Sequence, residues 1–212
     1  MIALLYITLF SGILPATVLI IKKTKRTFAF TNAIVPFAVL TAFASLYEFL
    51  FSLFLKIDTS YWFQAYALLE MGCIVYFFTK VFKGRYKILS LLMLFLFIGF
   101  YLISFKIAHE NGKLVANALN KTIVTFYTVT FTLLWLTQFI KSDKKIPLKT
   151  NPIFYFVSGF VIYYCTTLLL FLASNYLYTN NIFFYEYWVI NIIATFVLRI
   201  LLTVGICKIQ QK

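Results

Sequence analysis

Residues 47–72 read YEFLFSLFLKIDTSYWFQAYALLEMG, and almost every position is apolar or aromatic. Two carboxylates, Glu48 and Glu70, interrupt the apolar runs on either side of the short break KIDTS. Lipid offers no hydrogen bonds to a backbone, so apolar segments of this kind form helices. The stretch therefore predicts two antiparallel helices joined by a turn, each with one acid in its interior.

The composition of the whole chain agrees with a membrane setting for this hairpin. Of its 212 residues, 63% are hydrophobic and only 12% are charged, and the mean hydropathy is +0.93. About a quarter of the residues in a soluble domain are charged. We therefore expect an integral membrane protein with a single all-α domain over residues 1–212, in which lipid surrounds most of the surface.

Seven apolar runs are long enough to cross a bilayer, which takes about 20 residues. The predicted spans are residues 2–21, 28–55, 60–82, 87–107, 118–140, 151–174 and 182–207. Short connections between them make consecutive helices antiparallel. The fold class predicted is a seven-transmembrane-helix bundle.

The basic residues predict how this bundle is oriented. The formal net charge is +13, and most of the 19 Lys and Arg fall in alternate connections and at the C-terminus. That set is Lys22, Lys23, Lys25, Arg26, Lys80, Lys83, Arg85, Lys87, Lys141, Lys144, Lys145, Lys149, Lys208 and Lys212. By the positive-inside rule these residues are cytoplasmic and the N-terminus is outside, in a bacterial inner membrane. Because the charge is spread over connections in this way, it does not indicate nucleic-acid binding.

Counting depth along the helices predicts a polar layer near mid-membrane. Glu48 and Glu70 each lie 11 residues from Thr59, the centre of the hairpin, which is roughly 12–15 Å below the outer boundary. The layer predicted at this depth comprises Glu48, Glu70, Tyr127, Thr128, Thr166 and Asn191. Two interpretations remain open: a site for a ligand, cation or partner, or two acids that share a proton and only join helices.

Other in-span residues add further expectations. Arg199 in the last helix either extends its side chain to lipid phosphate or pairs with an interior acid or carbonyl. In the second case we expect it to transmit a change in packing. Pro15 and Pro36 lie within the first two runs and predict kinks.

Some kinds of metal or catalytic site need residue types that this sequence lacks. The chain has one histidine, His109, in a connection, so a multi-histidine zinc site is not expected. We predict no metal and no cofactor. An enzyme that uses Glu48 and Glu70 as acid and base is kept as an alternative.

Three motifs carry a resemblance to a known class of membrane module. They are YALLEMG (Tyr66–Gly72), NPIFYFVSG (Asn151–Gly159) with Tyr163, and YWVINII (Tyr187–Ile193). The chain resembles the seven-helix membrane input modules that precede bacterial sensor kinases. The resemblance implies that a signal shifts helix packing and that the last helix passes the shift onward. Only KIQQK follows that helix, so we expect a separate membrane or cytoplasmic protein partner.

These observations lead to one predicted function and two alternatives. We predict a sensor or accessory subunit that binds a small ligand, an ion or a membrane partner at the polar layer. The first alternative is a proton- or cation-coupled small-molecule transporter. Many transporters are built from two repeats of helices, and Pro15 and Pro36 have no counterparts at matching depth in the helices that would form the second repeat. The second is the carboxylate-based enzyme.

Overall fold

A computed structural model of the chain describes residues 2–21, 33–57, 60–110, 112–141, 147–180 and 184–209. Within these residues the regular structure is entirely helical. The long helices are α1 (Ile2–Ile21), α2 (Val35–Tyr47), α3 (Ser60–Val81), α4 (Lys87–His109), α5 (Lys113–Lys141), α6 (Pro152–Thr179) and α7 (Phe184–Ile209). A π-helical segment, Glu48–Phe54, extends α2, and a 3₁₀ turn, Leu148–Thr150, precedes α6.

Six of these helices are long and apolar enough to cross a membrane, α2 being counted together with its π-helical segment. The exception is α3, whose sequence includes Gln64, Glu70 and Lys80. The all-helical fold and its seven helices are as predicted. The orientation in a bilayer stays a prediction, and Lys22, Lys23, Lys25, Arg26, Lys144, Lys145 and Lys212 lie outside the described residues.

Two of the predicted boundaries need correction. The helix α2 begins at Val35, so Pro36 occupies its first turn, where a missing N–H costs nothing, and the predicted kink there is wrong. The irregularity of this helix lies instead at Glu48–Phe54. The helix α5 begins at Lys113, five residues before the predicted start, because Leu114, Val115 and Ala116 already continue its apolar pattern.

The helices pack in a closed arrangement. Contacts run in series from α2 through α1, α7, α6 and α5 to α4, and α3 contacts α2, α4 and α5. The helices α6 and α7 pack closely, and a Cβ on Gly159 would lie 3.2 Å from Leu198 Cδ1 and 3.3 Å from Leu201 Cβ. Small residues at helix contacts let backbones approach in this way.

Aromatic side chains fill one end of the bundle. We call Phe77, Phe78, Phe131, Phe156 and Phe160 the aromatic core; each is at most 3% exposed. The rings of Phe77 and Phe160 are 5.3 Å apart, and those of Phe78 and Phe131 are 5.6 Å apart. This end of the bundle holds the C-terminal parts of α3 and α5 and the start of α6. We call it the C-terminal end of the bundle, after α3 and α5. Packing here leaves the opposite, N-terminal end to hold the polar groups.

Large apolar side chains also cover the outside of the molecule. Phe95 on α4 and Leu169 on α6 are 78% and 72% exposed. On α4 most of the leucine, isoleucine and phenylalanine side chains are exposed. Its two serines face inward: Ser90 and Ser104 are both buried.

Candidate functional site

A cavity of about 370 Å³ lies at the N-terminal end of the bundle. Every described long helix except α4 contributes to its wall. Charged and amide side chains in the wall are Glu48, Asn117, Asn120, Lys121, Asn191 and Arg199, and aromatic ones are Trp62, Phe63, Tyr66, Tyr163, Phe171 and Trp188. Ligand pockets have volumes of about 300–1,000 Å³ and combine a mostly apolar wall with a few polar groups. The size and lining of this cavity match that description.

A buried ion pair lies at the wall between α3 and α5. The Nζ of Lys121 donates to Glu70 Oε2 at 2.8 Å and to Oε1 at 3.0 Å. The hydroxyl of Tyr163 accepts from the same ammonium at 3.3 Å. Glu70 is fully buried, and a buried carboxylate is stable only with a partner of this kind. The charge of Lys121 is therefore neutralised within the protein.

Aromatic rings surround the same ammonium. Its Nζ lies 5.1 Å from the ring centroid of Tyr163, 5.3 Å from Tyr164, and 5.7 Å from both Tyr66 and Phe171. Ring faces attract cations, more strongly where water is excluded. These contacts fix the position of Lys121 and make it part of the structure of the site.

Arg199 enters the cavity from the middle of α7. It is 6% exposed, and its Nη1 donates to the backbone carbonyl of Thr8 on α1. Its Nε has no hydrogen-bond partner among the residues that the structure describes. The guanidinium fits beside α1 because residue 12 is glycine: a Cβ there would lie 2.8 Å from Arg199 Cζ and would also meet Ser45 Oγ. Of the two predicted positions for Arg199, this is the interior one.

Glu48 reaches the cavity at the junction of α2 and the π-helical segment. In the described part of the chain, its carboxylate accepts no hydrogen bond and forms no ion pair within 4 Å. Segments with i→i+5 hydrogen bonding are rare and frequently mark functional sites. The segment also directs Ser52 and Leu53 into the cavity wall.

Amide side chains complete the polar part of the site. Asn191 lines the cavity, and its Oδ1 is buried with no hydrogen-bond partner. On the other wall, Asn120 donates to Gln64 Oε1 at 2.9 Å and accepts from Ser104 at 2.8 Å. Gln64 in turn donates to Asn117 at 3.2 Å. This network joins α3, α4 and α5, whereas the Asn191 oxygen has no hydrogen-bond partner among the described residues.

The structure separates the six residues of the predicted layer. Glu48 and Asn191 line the cavity, and Glu70 lies directly behind Lys121. The other three, Tyr127, Thr128 and Thr166, do not line it. No hydrogen bond joins Glu48 to Glu70 in the described residues, so the geometry gives no support to a shared proton.

The three residues outside the cavity have other surroundings. Tyr127 packs against Phe78 and Phe131 of the aromatic core, and its hydroxyl is 2.8 Å from Ser90 Oγ. Thr128 donates to the carbonyl of Val124 at 2.8 Å, and Thr166 is exposed. Lys121, six residues before Tyr127, occupies the level of Glu70. Because α5 starts earlier than predicted, a count from residue 118 placed the wrong residues at this depth.

Sequence reasoning also missed residues that the cavity brings together. Lys121, Trp62, Tyr163 and Trp188 were not among the predicted site residues. One signal was present: a lysine within an apolar run requires a buried acid, and Glu70 is the acid at a comparable depth in α3. The aromatic residues gave no such signal, because 21% of this chain is aromatic.

The cavity can bind a ligand that presents both polar and apolar groups. Two of its charges, on Glu48 and Arg199, are not neutralised by an ion pair within the described residues. The third, on Lys121, is neutralised by Glu70.

Comparison with family models, curated proteins and solved structures finds no match to this chain.

Proposed function

We propose that this chain is a multi-pass protein of the bacterial inner membrane that senses a small ligand. The ligand binds in the cavity, and the resulting change in helix packing passes through Arg199 and α7 to a separate protein partner. The observation that carries this proposal is the cavity itself. It combines an apolar wall with buried polar atoms of Arg199 and Asn191 that have no partner.

The packing of the C-terminal end of the bundle bears on the choice between sensing and transport. Phe77, Phe156 and Phe160 fill the space between α3 and α6, with ring centroids 5.3–6.0 Å apart. A transporter needs access from both sides of its binding site in turn. In this conformation the described aromatic side chains fill the C-terminal end and the cavity lies at the N-terminal end, so transport would require a second conformation in which this packing opens.

The position of Arg199 suggests how binding acts on helix packing. Its guanidinium joins α7 to α1 through the carbonyl of Thr8, close to the contact of α1 with Ser45 of α2. A ligand that attracts the guanidinium competes with that carbonyl. The contact among the three helices then changes, and α7 carries the change toward its C-terminal end.

The proposal is tested by thermal unfolding of the purified protein in detergent with a defined set of compounds. The set comprises the twenty standard amino acids, glucose, succinate, choline, putrescine and adenosine. A ligand at about 100 times its Kd stabilises the folded state by about 2.7 kcal/mol. We expect at least one compound to raise the unfolding midpoint.

A variant with a blocked cavity shows where the compound binds. Thr195 lines the cavity and donates to Asn191 O at 2.7 Å. Thr137 makes the same local bond, to Leu133 O at 2.8 Å, on an exposed surface. Thr195→Trp should abolish the stabilisation and Thr137→Trp should preserve it. No stabilising compound, or equal stabilisation of both variants, would refute ligand binding in the cavity. Accumulation of the compound in proteoliposomes would refute sensing in favour of transport.

A further inference from the structure

The cavity's charges specify the chemical class of its ligand. We propose that the ligand is a small zwitterion of the α-amino-acid type with an apolar side chain. Its carboxylate binds Arg199, its ammonium binds Glu48 and Asn191, and its side chain lies among the aromatic residues of the wall. This inference rests on the proposed function, because it names the ligand of the same cavity.

The carboxylate is assigned from the donors of Arg199. A guanidinium has five N–H donors in a fixed plane. Nη1 donates to Thr8 O, and Nε, buried at the cavity wall, has no partner. Carboxylates bind a guanidinium through two parallel hydrogen bonds, which neutral oxygens do not match in strength. A carboxylate would therefore supply the missing acceptor for Nε together with a negative charge in direct contact with the guanidinium.

The ammonium is assigned from two acceptors in the cavity wall, Glu48 and Asn191. Glu48 has no hydrogen bond and no ion pair within the described residues, and Asn191 Oδ1 is buried without a partner. Lys121 does not serve Glu48, because both oxygens of Glu70 hold its ammonium. A primary ammonium has three donors and can bind both acceptors at once.

The two charges together exclude simpler ligands. A lone anion would satisfy Arg199 but repel Glu48, and a lone cation would do the reverse. A neutral sugar would bring no counter-charge into direct contact with either group, so neither would gain the charge-assisted hydrogen bonds that a zwitterion offers. Among these classes, only a zwitterion brings an opposite charge to both Glu48 and Arg199 and leaves the net charge of the two residues and the ligand at zero.

The rest of the wall indicates an apolar side chain. Phe171 and Trp188 meet edge to face with ring centroids 5.7 Å apart, and Trp62 stacks on Tyr47 at 4.3 Å. The cavity volume of about 370 Å³ is sufficient for one amino acid of any size. Burial of an aliphatic or aromatic side chain against these rings adds affinity through the hydrophobic effect.

The test compares an amino acid with analogues that lack one charged group. We would measure thermal unfolding of the wild-type protein with L-leucine, with 4-methylpentanoate, which lacks the ammonium, and with 3-methylbutylamine, which lacks the carboxylate. L-phenylalanine, 3-phenylpropanoate and 2-phenylethylamine form a second series. We expect an amino acid to raise the midpoint by about 5 °C or more at saturation, and its analogues at equal concentration to have no effect. An analogue as effective as its amino acid would overturn the inference.

A charge substitution gives a second, independent readout. Charge-assisted hydrogen bonds contribute about 1.5–3 kcal/mol, so Glu48→Gln should weaken amino-acid binding about 10- to 100-fold. The same change removes repulsion toward 4-methylpentanoate, whose binding should improve relative to wild type. A purely structural role of Glu48 would weaken both compounds alike. Tyr127→Phe, at the aromatic core, is the control and should change neither affinity.

The outcomes separate this inference from the proposed function. If glucose, choline, putrescine, succinate or adenosine stabilises the protein in a manner lost in Thr195→Trp, and no amino acid does, the zwitterion is wrong and the sensor stands. If no compound stabilises the protein, both fail. An amino acid whose effect is lost in Thr195→Trp supports both.

Discussion

Gly12 has a specific steric role at the residue scale. Its missing side chain leaves room for Arg199 and Ser45 where α1, α2 and α7 meet. We expect Gly12→Ala to destabilise the protein by about 1–3 kcal/mol, because a methyl group there overlaps both neighbours. The measurement is thermal unfolding in detergent.

Two other glycines provide matched controls for Gly12. A Cβ on Gly72 of α3 or Gly99 of α4 would meet nothing within 4 Å. Alanine favours a helix over glycine by about 0.5–1 kcal/mol, so Gly72→Ala and Gly99→Ala should leave stability unchanged or raise it. Equal effects at all three positions would contradict the steric role of Gly12.

The ion pair of Lys121 with Glu70 is also testable at this scale. Lys121→Met leaves a carboxylate fully buried and unpaired, which should cost about 3–5 kcal/mol. The double variant Glu70→Gln, Lys121→Met removes both charges and should recover much of that loss. A double-mutant cycle measured by thermal unfolding gives the coupling energy.

The exposed Lys106 on α4 serves as the control for this cycle. Lys106→Met should change stability by less than about 0.5 kcal/mol. If the double variant of Glu70 and Lys121 is no more stable than Lys121→Met alone, the two charges are not coupled and the bond geometry has no energetic consequence.

The site residues show what depth counting can and cannot predict. Counting along a helix predicts a height in the bilayer, and the residues selected in this way include Glu48 and Asn191, which line the cavity, and Glu70, which lies behind Lys121. It does not give the direction in which a side chain points, so exposed Thr166 was included. Each residue rotates the direction by about 100°. On α5, where the predicted start lay five residues too late, the count selected Tyr127, six residues beyond Lys121.

At the scale of elements, the helices themselves were predictable because bilayer thickness fixes their length. The predicted span 2–21 is the helix Ile2–Ile21, and 60–82 differs from Ser60–Val81 by one residue. The π-helical segment was not predictable, because nothing in the letters EFLFSLF distinguishes it from an α-helix. Its i→i+5 bonds depend on how α2 packs, which is a tertiary property.

The polar network between α3, α4 and α5 supplies a prediction about elements. Asn120→Ala removes the group that joins Gln64 to Ser104 and leaves buried polar atoms without partners. We expect a loss of about 1–3 kcal/mol in unfolding free energy. The exposed Asn175 of α6 is the matched control, and Asn175→Ala should have little effect. Similar stability of both variants would show that the network does not hold α4 in place.

For the whole molecule, the predicted orientation is tested by labelling single cysteines. Cys73, Cys165 and Cys207 are free thiols and are first replaced by alanine. Glu110→Cys should then react with a membrane-impermeant maleimide in intact cells, because the rule for basic residues puts that connection outside. Lys83→Cys should react only after the cells are permeabilised.

The reverse labelling pattern would have a direct consequence for function. The cavity would then open toward the cytoplasm, and the ligand sensed would be an internal metabolite. Equal labelling of both positions in intact cells would contradict a single orientation.

The π-helical segment Glu48–Phe54 also bears on how this chain can change in length. An i→i+5 turn holds one residue more than an i→i+4 turn, so removal of one residue from it restores a regular helix and leaves α3 in register. The same deletion in Val35–Tyr47 would rotate every following side chain by about 100° and turn Glu48 away from the cavity. In an alignment of related sequences, we therefore expect single-residue deletions within residues 35–54 to fall between positions 48 and 54. A chain with such a deletion would keep the bundle but lose the local geometry that now presents Glu48.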